Sequence, residues 1–183
     1  MENRKQRHYT SKKLARLALL SALGSIAVIM EFPIFPMTPF LKYDIGDVPI
    51  FISAIAYGPL EGFLLTIVVS YVQSFVIHGS GGIYGFIMHI IATGTMTIVL
   101  GSLNKYLHKK LPLWISMLFG VIAMTVVMIP ANLIITPLFS GLPTEEVALL
   151  LPYIIMFNII KSGVNSAFTY FLYNKVLKDR LLE

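Results

Sequence analysis

The sequence predicts an all-α integral membrane protein: a bundle of six transmembrane helices, forming a single domain over residues 1–183, with both termini cytoplasmic. Three observations predict it. The 183 residues are 56% hydrophobic and 13% charged, whereas soluble domains run at about 45–50% apolar and about 25% charged. Much of the apolar sequence lies in runs long enough for a bilayer, which takes about 20 residues per helix. The basic residues gather at the ends of alternate runs. Arg4, Lys5, Arg7, Lys12, Lys13 and Arg16 precede the first run, Lys105, Lys109 and Lys110 separate the fourth from the fifth, and Lys175, Lys178 and Arg180 follow the last. Six spans with both ends inside put all of these on the cytoplasmic face, as the positive-inside rule asks. Only Lys42 and Lys161 are left over.

The elements follow in order from apolar runs and turn signals. A basic cytoplasmic tail over 1–12 leads into a first helix at about 13–32, which is too long and too poorly closed by small residues to be a cleaved signal peptide. Three prolines, Pro33, Pro36 and Pro39, stop that helix and favour extended backbone in a loop over 33–46. A second helix is expected at about 47–57 and a third at about 59–77. The second is too short to span unless Tyr57-Gly58-Pro59 is only a kink, so a kink and a tight turn are both open. The turn over 78–82 precedes a fourth helix at about 83–106, and the basic turn around Lys109 precedes a fifth at about 112–138. The polar, Pro/Gly-containing stretch 140–146 separates it from a sixth at about 149–177.

Several chemistries are excluded. Without cysteine there is no thiolate metal site, disulfide framework or thiol nucleophile. Gly79-Ser80-Gly81-Gly82 lacks the lysine and hydroxyl of a phosphate loop. His89 has no second His or carboxylate at i+3 or i+4, so it reads as an interior hydrogen-bonded histidine, and no metal site is expected. The net charge of +5 is distributed for a lipid bilayer and not as one basic, aromatic-interleaved patch for nucleic acid. Glu31 and Glu61 lie near span ends, where solvation is the expectation.

What remains is a binding site open to the outer face. The 33–46 loop is too apolar to stand bare in water and is expected to fold back as an outer lid, with aromatic faces for a flat ligand and an edge formed by Phe40, Leu41, Lys42, Tyr43 and Asp44. On the last helix Asn158, Lys161 and Asn165 fall at i, i+3 and i+7, one polar stripe on an otherwise apolar surface. An ammonium inside a span costs about 2.5–3.5 kcal/mol on insertion scales and therefore faces a cavity or a partner, unless it snorkels to the boundary. Asn132, beside the helix breaker Pro130, can reach the same space, and Gln73 and Tyr84 stand towards its outer end. On the first helix Ala15, Ala18, Ala22 and Ser25 make a flat stripe that either packs within the bundle or docks another membrane protein.

These segments carry a resemblance. Ala15-Arg16-Leu17-Ala18-Leu19-Leu20-Ser21-Ala22-Leu23-Gly24, Pro39-Phe40-Leu41-Lys42-Tyr43-Asp44-Ile45-Gly46-Asp47-Val48-Pro49 and Tyr57-Gly58-Pro59-Leu60-Glu61-Gly62 resemble the substrate-capture (S) components of energy-coupling factor vitamin transporters, above all the riboflavin-specific ones. The resemblance implies six helices around a vitamin site near the outer face, covered by the first loop. It implies an AxxxA motif, matched by Ala18 and Ala22, that meets a transmembrane coupling subunit. It further implies riboflavin as the transported ligand, two ATPase subunits that use the ATP, no cofactor of the chain's own and a place in the bacterial plasma membrane. Other vitamins or precursors, such as thiamin, biotin or a pantothenate-like compound, are the nearest alternatives. A membrane-embedded lipid enzyme would need clustered acids or a nucleophile and base, and a self-sufficient transporter would need a repeat; neither is evident here.

Overall fold

The computed structural model describes residues 11–77, 82–107 and 110–177. The tail ahead of Ser11, the turn 78–81, and Lys109, Lys178 and Arg180 lie outside the described residues. Seven α-helices are present among those described: α1 Ser11–Ala27, α2 Asp47–Tyr57, α3 Pro59–Tyr71, α4 Gly82–Leu107, α5 Leu113–Ser140, α6 Thr144–Leu149 and α7 Leu151–Leu172. Helix α1 runs on as a single 3-10 turn to Met30, and α3 and α7 widen into π-helical turns over Val72–Ile77 and Tyr173–Leu177. Among the described residues four segments, Ser11–Met30, Pro59–Ile77, Gly82–Leu107 and Leu113–Ser140, are long and apolar enough to cross a membrane. The chain is an all-α membrane protein.

The count differs from the expected six because the 140–146 stretch is not a plain linker. Helix α5 continues through Pro130 and Pro137 to Ser140, and Gly141 ends it in the left-handed conformation (φ 72°) with its N–H on the Pro137 carbonyl, a common glycine stop. Pro143 then precedes α6, whose Val147 is buried while Glu145 and Glu146 face out. A six-residue helix has no periodicity signal strong enough to read from sequence.

Between α2 and α3 the chain makes a tight turn and not a kink. Gly58 takes φ 112°, a conformation open to glycine and costly for any side chain. Four residues to either side of it, Gly62 lies against Ala54, so closely that a Cβ at Gly62 would stand 2.6 Å from the Ala54 Cβ. The two helices therefore lie side by side. Helix α2 spans about 16 Å at 1.5 Å per residue, and nine of its eleven residues are buried, so it is a central post packed by α1, α3, α4 and α7. Gly101 of α4 approaches the Pro59 backbone just as closely, and Asn104 donates to the Ile55 carbonyl at 3.1 Å.

Three apolar clusters hold the bundle. Phe51, Met96, Leu100, Met117 and Met124 join α2, α4 and α5, and Leu17, Leu20, Val28, Ile50, Ile52, Leu65 and Val69 join α1, α2 and α3. The third decides the position of the 33–46 loop: Leu41 is buried with Val147, Ile154 and Phe157, with Ile34, Phe35, Phe40 and Tyr43 packed around them. Inside the loop Phe32–Pro33 (β1) and Lys42–Tyr43 (β2) pair antiparallel. The loop is thus a folded flap, pinned onto α6 and α7.

Candidate functional site

Under the flap a cavity of about 460 Å³ opens between the loop and helices α3, α4, α5 and α7, a volume within the usual range of small-molecule sites. Its walls are apolar and soft: Phe40 and Leu41 of the flap, Met88 and Tyr84 of α4, Met124, Met128 and Phe139 of α5, and Phe157 of α7. The Tyr84 and Phe139 rings meet at 5.5 Å between centroids. Polar groups occupy the rest of the lining, with Asn132 and Thr136 from α5, Asn158 and Lys161 from α7, Gln73 from the end of α3, His89 and Thr93 from α4, and Glu31 and Lys42 from the two ends of the flap.

Lys161 does not snorkel. It is 6% exposed, and its Nζ donates to Asp44 Oδ2 at 2.8 Å and lies 3.7 Å from Asp47 Oδ2. A buried ammonium survives only with its charge compensated and its protons hydrogen-bonded. Here the flap supplies one carboxylate and the first residue of α2 the other. Asp44 also accepts from the Gly46 N–H at 2.8 Å and from Gln73 at 3.4 Å. Asp47 is fully buried and sits at the N-terminus of α2, where the helix dipole favours a negative charge.

Asn132 and Asn158 each donate one amide hydrogen to the carbonyl four residues earlier, Met128 and Ile154, at 2.8 Å. Thr136 donates to the Asn132 amide oxygen at 3.0 Å. Each asparagine keeps a second N–H, and Asn158 its amide oxygen as well, so this wall offers both donors and acceptors. At the rim Lys42 donates to Glu31 at 2.6 Å and Gln73 donates to the same carboxylate at 3.2 Å. Glu31 is therefore an enclosed rim carboxylate and not a solvated span end. Glu61 corrects the same expectation, since it is 1% exposed and takes Lys13 of α1 at 2.8 Å.

Of the eleven residues read from sequence as ligand-facing, Phe40, Leu41, Lys42, Gln73, Tyr84, Asn132, Asn158 and Lys161 line the cavity. Tyr43, Asp44 and Asn165 stand behind the lining. Asn165 donates to the Asp44 carbonyl at 3.0 Å and to Asp47 at 3.3 Å, and accepts from the Tyr43 hydroxyl at 3.0 Å. Burial, together with the nearby Asp44 charge, pushes the Tyr43 phenol above its ordinary value, so it stays a donor. The sequence reading missed Glu31, Met88, Thr93, Met124, Met128, Thr136, Phe139 and Phe157. Among these only Thr136 carried a signal, four residues after Asn132 on the same helix face.

Away from the cavity, Ala15, Ala18 and Ala22 are exposed and Ser25 is half-buried. Helix α1 turns its Leu17, Leu20 and Gly24 face inward instead. The alanine stripe therefore faces away from the core of this bundle. Among the described residues no group of three or more His, Asp or Glu side chains is arranged to hold a metal ion.

Comparison with known proteins bears on the same arrangement. The family model described as ECF transporter, substrate-specific component, matches residues 12–173. A riboflavin transporter of Bacillus subtilis (strain 168), FmnP, is 32% identical over 84% of this chain and 85% of its own length. The riboflavin transporter RibU of Staphylococcus aureus (strain TCH60) is 24% identical over 94% of both chains. In three dimensions the chain superposes on a solved S component of a bacterial ECF transporter with a TM-score of 0.79 at 23% identity, covering 92% of this chain and 96% of that one.

Proposed function

This chain belongs to the substrate-specific components of ECF transporters, and from that premise we propose that it captures riboflavin outside the cell and delivers it across the membrane. It is a transport component and not an enzyme. The observation that carries the riboflavin reading is the two-sided chemistry of the cavity. A planar tricyclic ring needs apolar faces, which Tyr84, Phe139, Met88, Met124 and Phe157 offer from α4, α5 and α7. Its polar edge and hydroxylated side chain need donors and acceptors, which Asn132 and Thr136 of α5, Asn158 and Lys161 of α7 and Gln73 at the end of α3 offer. Lys161 has three N–H donors; with one on Asp44 and one towards Asp47, the third is free to meet a ligand oxygen.

In this reading α1, α3, α4, α5 and α7 traverse the bilayer, α2 returns the chain through the bundle interior as a post too short to span by itself, both termini are cytoplasmic, α6 lies at the outer face, and the 33–46 flap closes over the bound vitamin. The exposed Ala15, Ala18 and Ala22 supply a surface flat enough for close approach of a coupling helix. Energy then comes from two ATPase subunits acting through the coupling subunit, in the plasma membrane. Two results test the ligand. Protein purified from flavin-containing medium should be yellow, with flavin absorption, and ligand-free protein should quench riboflavin fluorescence on titration. Quenching by none of the flavins but saturable binding of thiamin or biotin would replace riboflavin with that vitamin.

A further inference from the structure

Every ligand-facing role proposed above is direct contact, yet His89 lies on the cavity wall with nothing left to offer a ligand. Its Nε2 stands 2.9 Å from Asp47 Oδ1 and its Nδ1 2.9 Å from the Ser70 hydroxyl. A carboxylate only accepts, so Nε2 carries a hydrogen, while Nδ1 is met by the Ser70 hydroxyl, which can donate or accept. Both ring nitrogens are taken. The imidazole is a bridge from α3 through α4 to the first residue of α2.

Asp47 collects the other end of that bridge. Its Oδ1 accepts from His89 and from the Thr93 hydroxyl at 2.9 Å, both on α4. Its Oδ2 faces the Asn165 amide at 3.3 Å and Lys161 Nζ at 3.7 Å, both on α7. Two donors on one oxygen fix the carboxylate's rotation and leave the second oxygen directed at α7. We infer that His89 is a positioning residue for substrate binding: by holding the Asp47 carboxylate it sets where the Lys161 ammonium rests between Asp44 and Asp47, and so where its remaining N–H points in the cavity. Without His89, Thr93 alone restrains Oδ1, and Asp47 is free to rotate towards Lys161 and draw the ammonium off the cavity wall.

The inference rests on Lys161 as a ligand contact, and a double-mutant cycle separates the two ideas. Riboflavin affinity is measured by fluorescence quenching on the purified full chain for His89→Ala, His89→Gln, Lys161→Met and the His89→Ala/Lys161→Met double variant. Thermal melting in detergent shows that each variant is folded, and Lys161→Gln replaces Lys161→Met if the latter is not. The expected results are a loss of about tenfold for His89→Ala, the size of a lost hydrogen bond to a charged group, and recovery of most of it in His89→Gln, whose amide can still donate to Asp47. In the Lys161→Met background, His89→Ala should add less than about twofold, because interacting groups are non-additive. Losses that multiply in the double variant would make His89 a structural residue only and overturn the inference, as would unchanged affinity in His89→Ala. An unchanged affinity in Lys161→Met would instead overturn Lys161 as a ligand contact, and the positioning role with it.

Discussion

Lys161 is one cation serving two carboxylates from different parts of the fold, and its surroundings state what each substitution should do. Lys161→Met keeps the aliphatic stem, removes the donors and leaves Asp44 with Gln73 and the Gly46 N–H. Losing a hydrogen bond to a charged group costs about 1.5–3 kcal/mol, so riboflavin affinity should fall about tenfold to a hundredfold. Asn165→Ala acts differently, since Asn165 ties Tyr43 and the Asp44 carbonyl to Asp47 and does not line the cavity. Its loss should loosen the flap and speed riboflavin dissociation with a smaller effect on association, measurable by stopped-flow quenching. Unchanged affinity in both variants would remove Lys161 as a ligand contact and Asn165 as a support of the flap.

At the scale of the element, α1 and the α2–α3 turn make opposite demands on small residues. In α1 the small side chains face outward. Ala18→Arg or Ala22→Arg should leave riboflavin binding within about twofold while abolishing transport, because a long charged side chain holds helices apart. Co-purification of either variant with the coupling subunit at the unsubstituted yield would refute the docking surface. In α4 the small residue faces inward: a Cβ at Gly101 would stand 2.8 Å from the Pro59 backbone and 3.1 Å from the Ala54 carbonyl. Backbone has nowhere to retreat, so Gly101→Ala should destabilise by about 1–3 kcal/mol, the range for overpacked cores. A melting temperature in detergent equal to the unsubstituted protein's would show that α4 shifts freely on the turn.

At the scale of the molecule, the proposed function has the energy for transport come from partner subunits. The chain has no nucleotide-binding motif, and its cavity lies against the flap at one end of the bundle. Vesicles containing only this chain should therefore bind riboflavin without accumulating it when ATP is enclosed or added. Accumulation under those conditions would sink the modular reading. Addition of the coupling and ATPase subunits should restore ATP-dependent uptake, measured with labelled riboflavin.

By itself the sequence determined the membrane class and the length and order of the long helices, because hydropathy over about 20 residues and proline or glycine punctuation are local signals. It also determined that the chain leaves the helix after α1, since three prolines exclude helix there, and the shared face of Asn158, Lys161 and Asn165, which helical periodicity sets. Only the tertiary structure decided what those residues meet. Asp44 and Lys161 are 117 positions apart and 2.8 Å distant, and no spacing rule relates a loop carboxylate to a lysine on the last helix. The pairing of Glu31 and the burial of Glu61 were illegible for the same reason, since each depends on a lysine brought by another part of the chain. The hairpin at Gly58 turned on one backbone angle, and the outward face of the alanine stripe turned on which side of α1 the neighbouring helices cover. Periodicity assigns residues to a face; only packing decides which face is turned to the core.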